Sequence, residues 1–109
     1  MSYDVYERVF ATILDRKENP EEGSYTTYLF DKGLEKILKK VGEESTEVII
    51  ASCRQNKEDV INEYGDLIYH LMVLMAELGI SLEDIDRVME ERDQKTHNLK
   101  AERKPIENL

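Results

Sequence analysis

Two stretches decide the fold: TYLFDKGLEKILKKVGEESTEVIIASCR, residues 27–54, and EDVINEYGDLIYHLMVLMAEL, residues 58–78. In both, apolar residues recur every three or four positions over about twenty residues, the period of an amphipathic helix and not of a strand. With residues spaced about 100° apart around the first helix, Phe30, Leu34, Ile37, Val41, Val48 and Ala51 all fall within about 80° of Glu44. Glu44 therefore belongs to the apolar sector. Glu47 lies about 60° away at its edge, beside Lys40, and Glu43 lies roughly 100° away on the same side. On the second helix Val60, Tyr64, Leu67, Leu71, Leu74 and Leu78 form one stripe, widened by Ile61, Ile68, Met72 and Met75. Glu63, Asp66 and His70 cluster along one edge of it, and Asp59 and Glu77 extend that edge.

Outward from these helices the chain is punctuated by turn signals. Gly33 predicts a bend or break in the first stretch, and Gln55-Asn56-Lys57 a short connection. Gly79 ends the second helix in the position where a left-handed residue is favoured. Before them, Tyr3 to about Lys17 carries Val5, Val9, Ile13 and Leu14 at helical spacing, and Glu18-Asn19-Pro20 ends it. Tyr25 and Thr26 read as loop, with Ser24 or Thr26 capping the next helix. After Gly79, Ser81 caps a last helix with Asp84 three residues on. That helix carries Leu82, Ile85, Val88 and Met89 and frays through residues 94–98, where His97 reads as structural or solvent-exposed. The expected architecture is all-α, a four- to five-helix bundle. Residues 1–99 are expected to form a single catalytic domain and residues 100–109 a polar, loosely ordered tail.

The chain of 109 residues carries 24 acidic and 15 basic side chains, a formal charge of −9. So acidic a surface repels nucleic-acid backbones, which call for clustered Lys and Arg. The single cysteine, Cys53, rules out an intrachain disulfide and reads as a small semi-buried hydrophobe. The N-terminus lacks a basic segment followed by an apolar one, and the apolar-rich run from Leu67 to Leu78 falls short of the roughly 20 residues a bilayer demands. No membrane association and a cytoplasmic location are therefore expected.

The carboxylates carry the chemistry. Each long helix bears an i,i+3 pair beside its apolar face: Glu44 with Glu47, and Glu63 with Asp66. Residues three apart are neighbours on a helix, so like charges there repel, and a charge within an apolar face is costly unless paired or bound to metal. Two such pairs on packed helices bring four carboxylates together, and cations offset that repulsion. An oxygen-only donor set selects a hard ion, Mg²⁺ or Mn²⁺. Glu21-Glu22, Glu83 with Asp86, and Glu90-Glu91 have no apolar neighbours of that kind and read as solvated faces. The competing account, a non-catalytic acidic module that binds a basic protein, leaves Glu44 uncompensated in the core.

Glu43-Glu44-Ser45-Thr46-Glu47 followed by Glu63-Tyr64-Gly65-Asp66 resembles the EExxE…ExxD motif of the all-α nucleoside triphosphate pyrophosphatases, which include MazG-type proteins and dimeric dUTPases. Further blocks narrow the resemblance: Gly23-Ser24-Tyr25-Thr26, Leu29 to Gly33, Ile37 to Glu44, Asp66 to Leu71, and Gly79 to Leu82 look like the phosphoribosyl-ATP pyrophosphatase branch. The likeness spans residues 23–90. Gly65 departs from it, standing where that branch usually has alanine, at a helix-propensity cost of about 1 kcal/mol.

The resemblance implies hydrolysis of phosphoribosyl-ATP to phosphoribosyl-AMP and pyrophosphate, the second step of histidine biosynthesis, with Mg²⁺ (or Mn²⁺ in its place) and a homodimer. Carried over, Glu44, Glu47, Glu63 and Asp66 are the metal ligands, and Glu43 completes the shell or helps activate water. The metal motif does not separate this from a MazG-like house-cleaning activity on (deoxy)nucleoside triphosphates; the flanking blocks favour the first. Phosphoanhydride cleavage depends on charge neutralisation and an in-line water, which one bridging Mg²⁺ or two ions about 3.5–4 Å apart supply. Lys32, Lys36, Lys39 and Lys40 are candidate phosphate contacts, with Lys40 foremost; i,i+4 pairing of Lys39 with Glu43 or Lys40 with Glu44 is the alternative. Tyr25 and Thr26 are placed at the substrate pocket. His70 is placed there too, as a donor to a ligating carboxylate or a polar edge residue. Met72 and Met75 read as core or dimer interface.

Overall fold

The computed structural model describes residues 4–95, so the expectations for His97 and for residues 100–109 lie outside the described residues. Those residues form five helices and no strand: α1 (Asp4–Glu18), α2 (Tyr25–Lys32), α3 (Leu34–Arg54), α4 (Lys57–Leu78) and α5 (Leu82–Asp93). The all-α expectation holds at its five-helix limit.

The extra helix comes from Gly33. Its φ of 90° and ψ of −171° lie in a region that is essentially glycine's alone, so the long pattern splits there into α2 and α3. Gly33 N–H still bonds Leu29 C=O, and Ile37 N–H bonds Gly33 C=O, so Gly33 itself keeps both its backbone bonds across the break. Of the two candidate caps Ser24 is the one used, its hydroxyl accepting from Thr27 N–H. Tyr25 and Thr26 therefore form the first turn of α2 and not the preceding loop. Asn56 caps α4, and Ser81 with Asp84 forms a full capping box on α5.

The core gathers Phe10 and Ile13 of α1, Leu29 of α2, Ile37 of α3, and Met72, Val73 and Ala76 of α4. Met72 thus belongs to the core, and Met75, partly buried, packs against it. This cluster joins α1 and α2 to the first turns of α3 and the last turns of α4. Lys17 Nζ donates to Ala76 C=O at 3.0 Å, occupying a carbonyl of the last helical turn.

The other half of the α3–α4 hairpin, toward the turn at Gln55-Asn56, is packed on one side only. The face that α4 buries also differs from the predicted stripe. His70, Met72, Val73 and Ala76 are the buried residues of α4, while Ile61 and Tyr64 are each 53% exposed and Leu71 and Leu78 are exposed as well. On the helical wheel the buried residues centre nearly opposite the predicted stripe, because α4 has more apolar surface than this chain covers. On α3, Ile49 at 63% and Ile50 at 46% are likewise exposed, and so is Leu34, which its spacing puts on the inward face. Cys53 is exposed, contrary to its semi-buried reading; it lies on the same uncovered end of α3. α5 buries none of its residues fully, and Ile85, Val88 and Met89 face outward. No single described helix is long and apolar enough to cross a membrane.

Candidate active site

The carboxylates meet on the seam where α3 packs against α4. One oxygen each from Glu44, Glu63 and Asp66 lies within 4.8 Å of the others. Glu44 is buried, Glu63 partly so, and Asp66 exposed, which gives the cluster an inner wall and an open mouth. Two of its atoms, Glu44 Oε2 and Glu63 Oε2, are buried without a hydrogen-bond partner. A buried carboxylate oxygen without a donor costs on the order of 1–3 kcal/mol or more. A hard cation satisfies both at once, and the oxygen-only donor set suits one.

Glu47 stands beside this trio and not within it. It lies against Glu63, and the hydrogen-bonding contact with that carboxylate, followed by its negative charge, holds Glu47 above the usual carboxylate range. Glu47 and Glu63 line a cleft of about 190 Å³ with Ile50, Ala51, Arg54 and Asp59.

Lys40 covers the other side. Its Nζ lies 3.5 Å from both Glu43 Oε2 and Glu44 Oε1. Partial burial works against its charge, yet Tyr25, Glu43 and Glu44 together raise its pKa above the ordinary lysine value. The i,i+4 pairing of Lys40 with Glu44 is thus formed in this structure, and Glu43 is turned toward Lys40. Lys39 makes no ion pair among the described residues, nor does Lys36. Lys32 Nζ lies 5.8 Å from the Tyr28 ring centre.

His70 is buried, and both its nitrogens are engaged. Nδ1 is 2.7 Å from the backbone carbonyl of Asp66, which can only accept, so Nδ1 carries the proton. Nε2 is then an acceptor, and the Tyr25 hydroxyl donates to it at 2.9 Å. His70 therefore bonds the main chain of Asp66 and not its carboxylate, and it has no nitrogen left for substrate. Thr26 is buried beside it, hydrogen-bonded to the Tyr69 hydroxyl. Tyr25 itself lies in the field of Lys40 and Glu44.

Two further residues emerge only in three dimensions. Arg54 lines the same cleft as Glu47 and Glu63, and the sequence holds a signal for it: seven residues after Glu47, two turns along the same face. Tyr28 stacks on Tyr25 with ring centres 6.1 Å apart and planes 23° apart. The i,i+3 spacing of two tyrosines is the corresponding signal, legible only once Tyr25 is placed inside the helix.

Fold and site together define a class: an all-α protein whose longest helices clasp a carboxylate cluster suited to a hard divalent cation. Comparison with known proteins narrows it. The family model for phosphoribosyl-ATP pyrophosphohydrolase matches residues 6–94. A phosphoribosyl-ATP pyrophosphatase of Clostridium acetobutylicum is 57% identical over 106 residues, 97% of this chain and 96% of that one. The protein of that name from Listeria welshimeri is 52% identical over the full length of both chains, and that of Streptococcus thermophilus 53% over 85% of this chain and 89% of its own. The chain belongs to the phosphoribosyl-ATP pyrophosphohydrolase family.

Proposed function

We propose that this chain hydrolyses phosphoribosyl-ATP to phosphoribosyl-AMP and pyrophosphate, a step of histidine biosynthesis in the cytoplasm, with Mg²⁺ held by Glu44, Glu63 and Asp66 and completed by Glu47. Membership in the family supports the substrate. The observation that carries the metal assignment is the pair of buried, unpartnered oxygens on Glu44 and Glu63, two carboxylates that come together with Asp66 at the α3–α4 seam. When bound, Mg²⁺ neutralises phosphate charge and lowers the pKa of water.

The chain's own residues do the remainder. Lys40 releases its hold on Glu43 and meets a phosphate oxygen. Glu43, freed from Lys40 and exposed, orients the attacking water. Lys32, Lys36 and Lys39, on the same flank, add positive potential for the polyphosphate. The seam excludes water from the inner oxygens, which strengthens each electrostatic contact there.

The exposed Ile49, Ile50, Ile61 and Tyr64 support a homodimer in which a second copy covers the open side of the hairpin. Pyrophosphate release from phosphoribosyl-ATP, dependent on Mg²⁺ and stopped by EDTA, tests the activity. A parallel panel of deoxynucleoside triphosphates tests the house-cleaning alternative: faster turnover of any of them overturns the proposed substrate. Glu47→Gln is expected to abolish turnover while the helical content stays intact.

A further inference from the structure

The rings of Tyr25 and Tyr28 lie nearly parallel, 45% and 42% exposed respectively, on the first turn of α2. Exposed aromatic rings on a helix are ordinarily free to change rotamer, but Tyr25 is not. Its hydroxyl is tied to His70 Nε2, the His70 ring meets it edge-on with centres 5.7 Å apart, and His70 is itself fixed through Nδ1 to the Asp66 carbonyl. A buried side chain on α4 thus holds an open aromatic surface in register with the turn that carries a cluster carboxylate. Tyr25 also lies in the field of Lys40 and Glu44, so the surface adjoins the charged end of the site.

We infer that Tyr25 and Tyr28 form a stacking step for the purine ring of the nucleotide, and that His70 is the positioning residue that keeps the step in place. A purine face stacks on an aromatic side chain irrespective of its hydrogen-bonding edge, which leaves the lysines and carboxylates to the phosphates. The inference rests on the nucleotide substrate proposed above and adds where its base lies.

A test independent of turnover uses AMP and ribose 5-phosphate as probes on the full chain. Ring-proton resonances of Tyr25 and Tyr28 are expected to shift on AMP addition and to stay in place with ribose 5-phosphate. Rings unmoved by AMP, or moved equally by the sugar phosphate, overturn the step. In kinetics with phosphoribosyl-ATP, Tyr28→Leu should raise KM about tenfold with kcat nearly unchanged, as a lost stacking contact does, and Tyr28→Phe should restore KM. His70→Asn, which lacks an acceptor at the Nε2 position, should raise KM as Tyr25→Phe does. The double variant should be no worse than either single one, and His70→Gln, with an oxygen near that position, should recover. Multiplying effects in the double variant, or kcat falling in step with stability, overturn the positioning role. If the wild type releases no pyrophosphate from phosphoribosyl-ATP, the proposed activity falls, while the AMP titration still judges the step.

Discussion

Lys40 Nζ sits 3.5 Å from Glu44 Oε1, while the other oxygen of that carboxylate, Oε2, is buried with no donor at all. One lysine therefore satisfies half of a buried charge, and the same carboxylate belongs to the cluster with Glu63 and Asp66.

That asymmetry predicts a strong stabilisation by cation. A ligand at a hundred times its dissociation constant stabilises a fold by about 2.7 kcal/mol, and each kcal/mol raises the midpoint by roughly 4–8 °C in a domain this size. Thermal melts in Mg²⁺ against EDTA should show a rise of that order for the wild type. Glu44→Gln should lose most of the rise while melting no lower than the wild type in EDTA. A full Mg²⁺ response in that variant would remove Glu44 from the ligand set.

Gly65 faces open space on α4: a Cβ built there meets nothing within 4 Å. Gly65→Ala should therefore stabilise the chain by about 1 kcal/mol through helix propensity alone. Chemical denaturation is the check, with an unchanged or lowered midpoint as the contrary result.

Gly33 behaves oppositely. Space for a methyl group exists there too, but the backbone conformation does not admit one. Gly33→Ala should destabilise by about 1–3 kcal/mol. Because it shifts α2, and Tyr25 with it, KM should rise as well; an unchanged KM would separate the break in the helix from the site.

Asp84 supplies the pH dependence. Ser81 N–H, then the Arg87 guanidinium and the Ser81 hydroxyl, hold its carboxyl below the usual range. A depressed carboxylate pKa stabilises the fold above the unfolded value and loses that contribution as pH falls through the folded one. The melting difference between wild type and Asp84→Ala should thus be full at pH 7 and shrink below about pH 4. A constant difference across that range would show that the capping box acts without Asp84's charge.

The helices and their ends are legible in the sequence because local chemistry sets them: Ser81 with Asp84, Asn19-Pro20 and Gly79 act within a few residues. The cluster is legible for a related reason, since i,i+3 spacing fixes which acids share a face. What spacing does not settle is rotation. Hydrophobicity turns α4 toward Leu71 and Leu78, while packing buries His70 and Val73 and leaves those leucines exposed. A helix apolar on more than one side does not say which side its own chain covers. His70 differs from its sequence expectation for the same reason: as an edge residue it invites a carboxylate partner, and as a buried one it meets a carbonyl and a phenol. Arg54 and Tyr28 require knowing which elements converge, which is tertiary information.

The tight turn at Gln55-Asn56 has a kinetic consequence. Glu44 and Asp66 are separated by 22 positions and meet across a single hairpin. Loop-closure entropy grows only slowly with length, and contacts this close in sequence form fast. The acidic seam should therefore assemble before α1 docks, and the repulsion among its carboxylates is met early in folding. Divalent cations should accordingly speed refolding as well as slow unfolding.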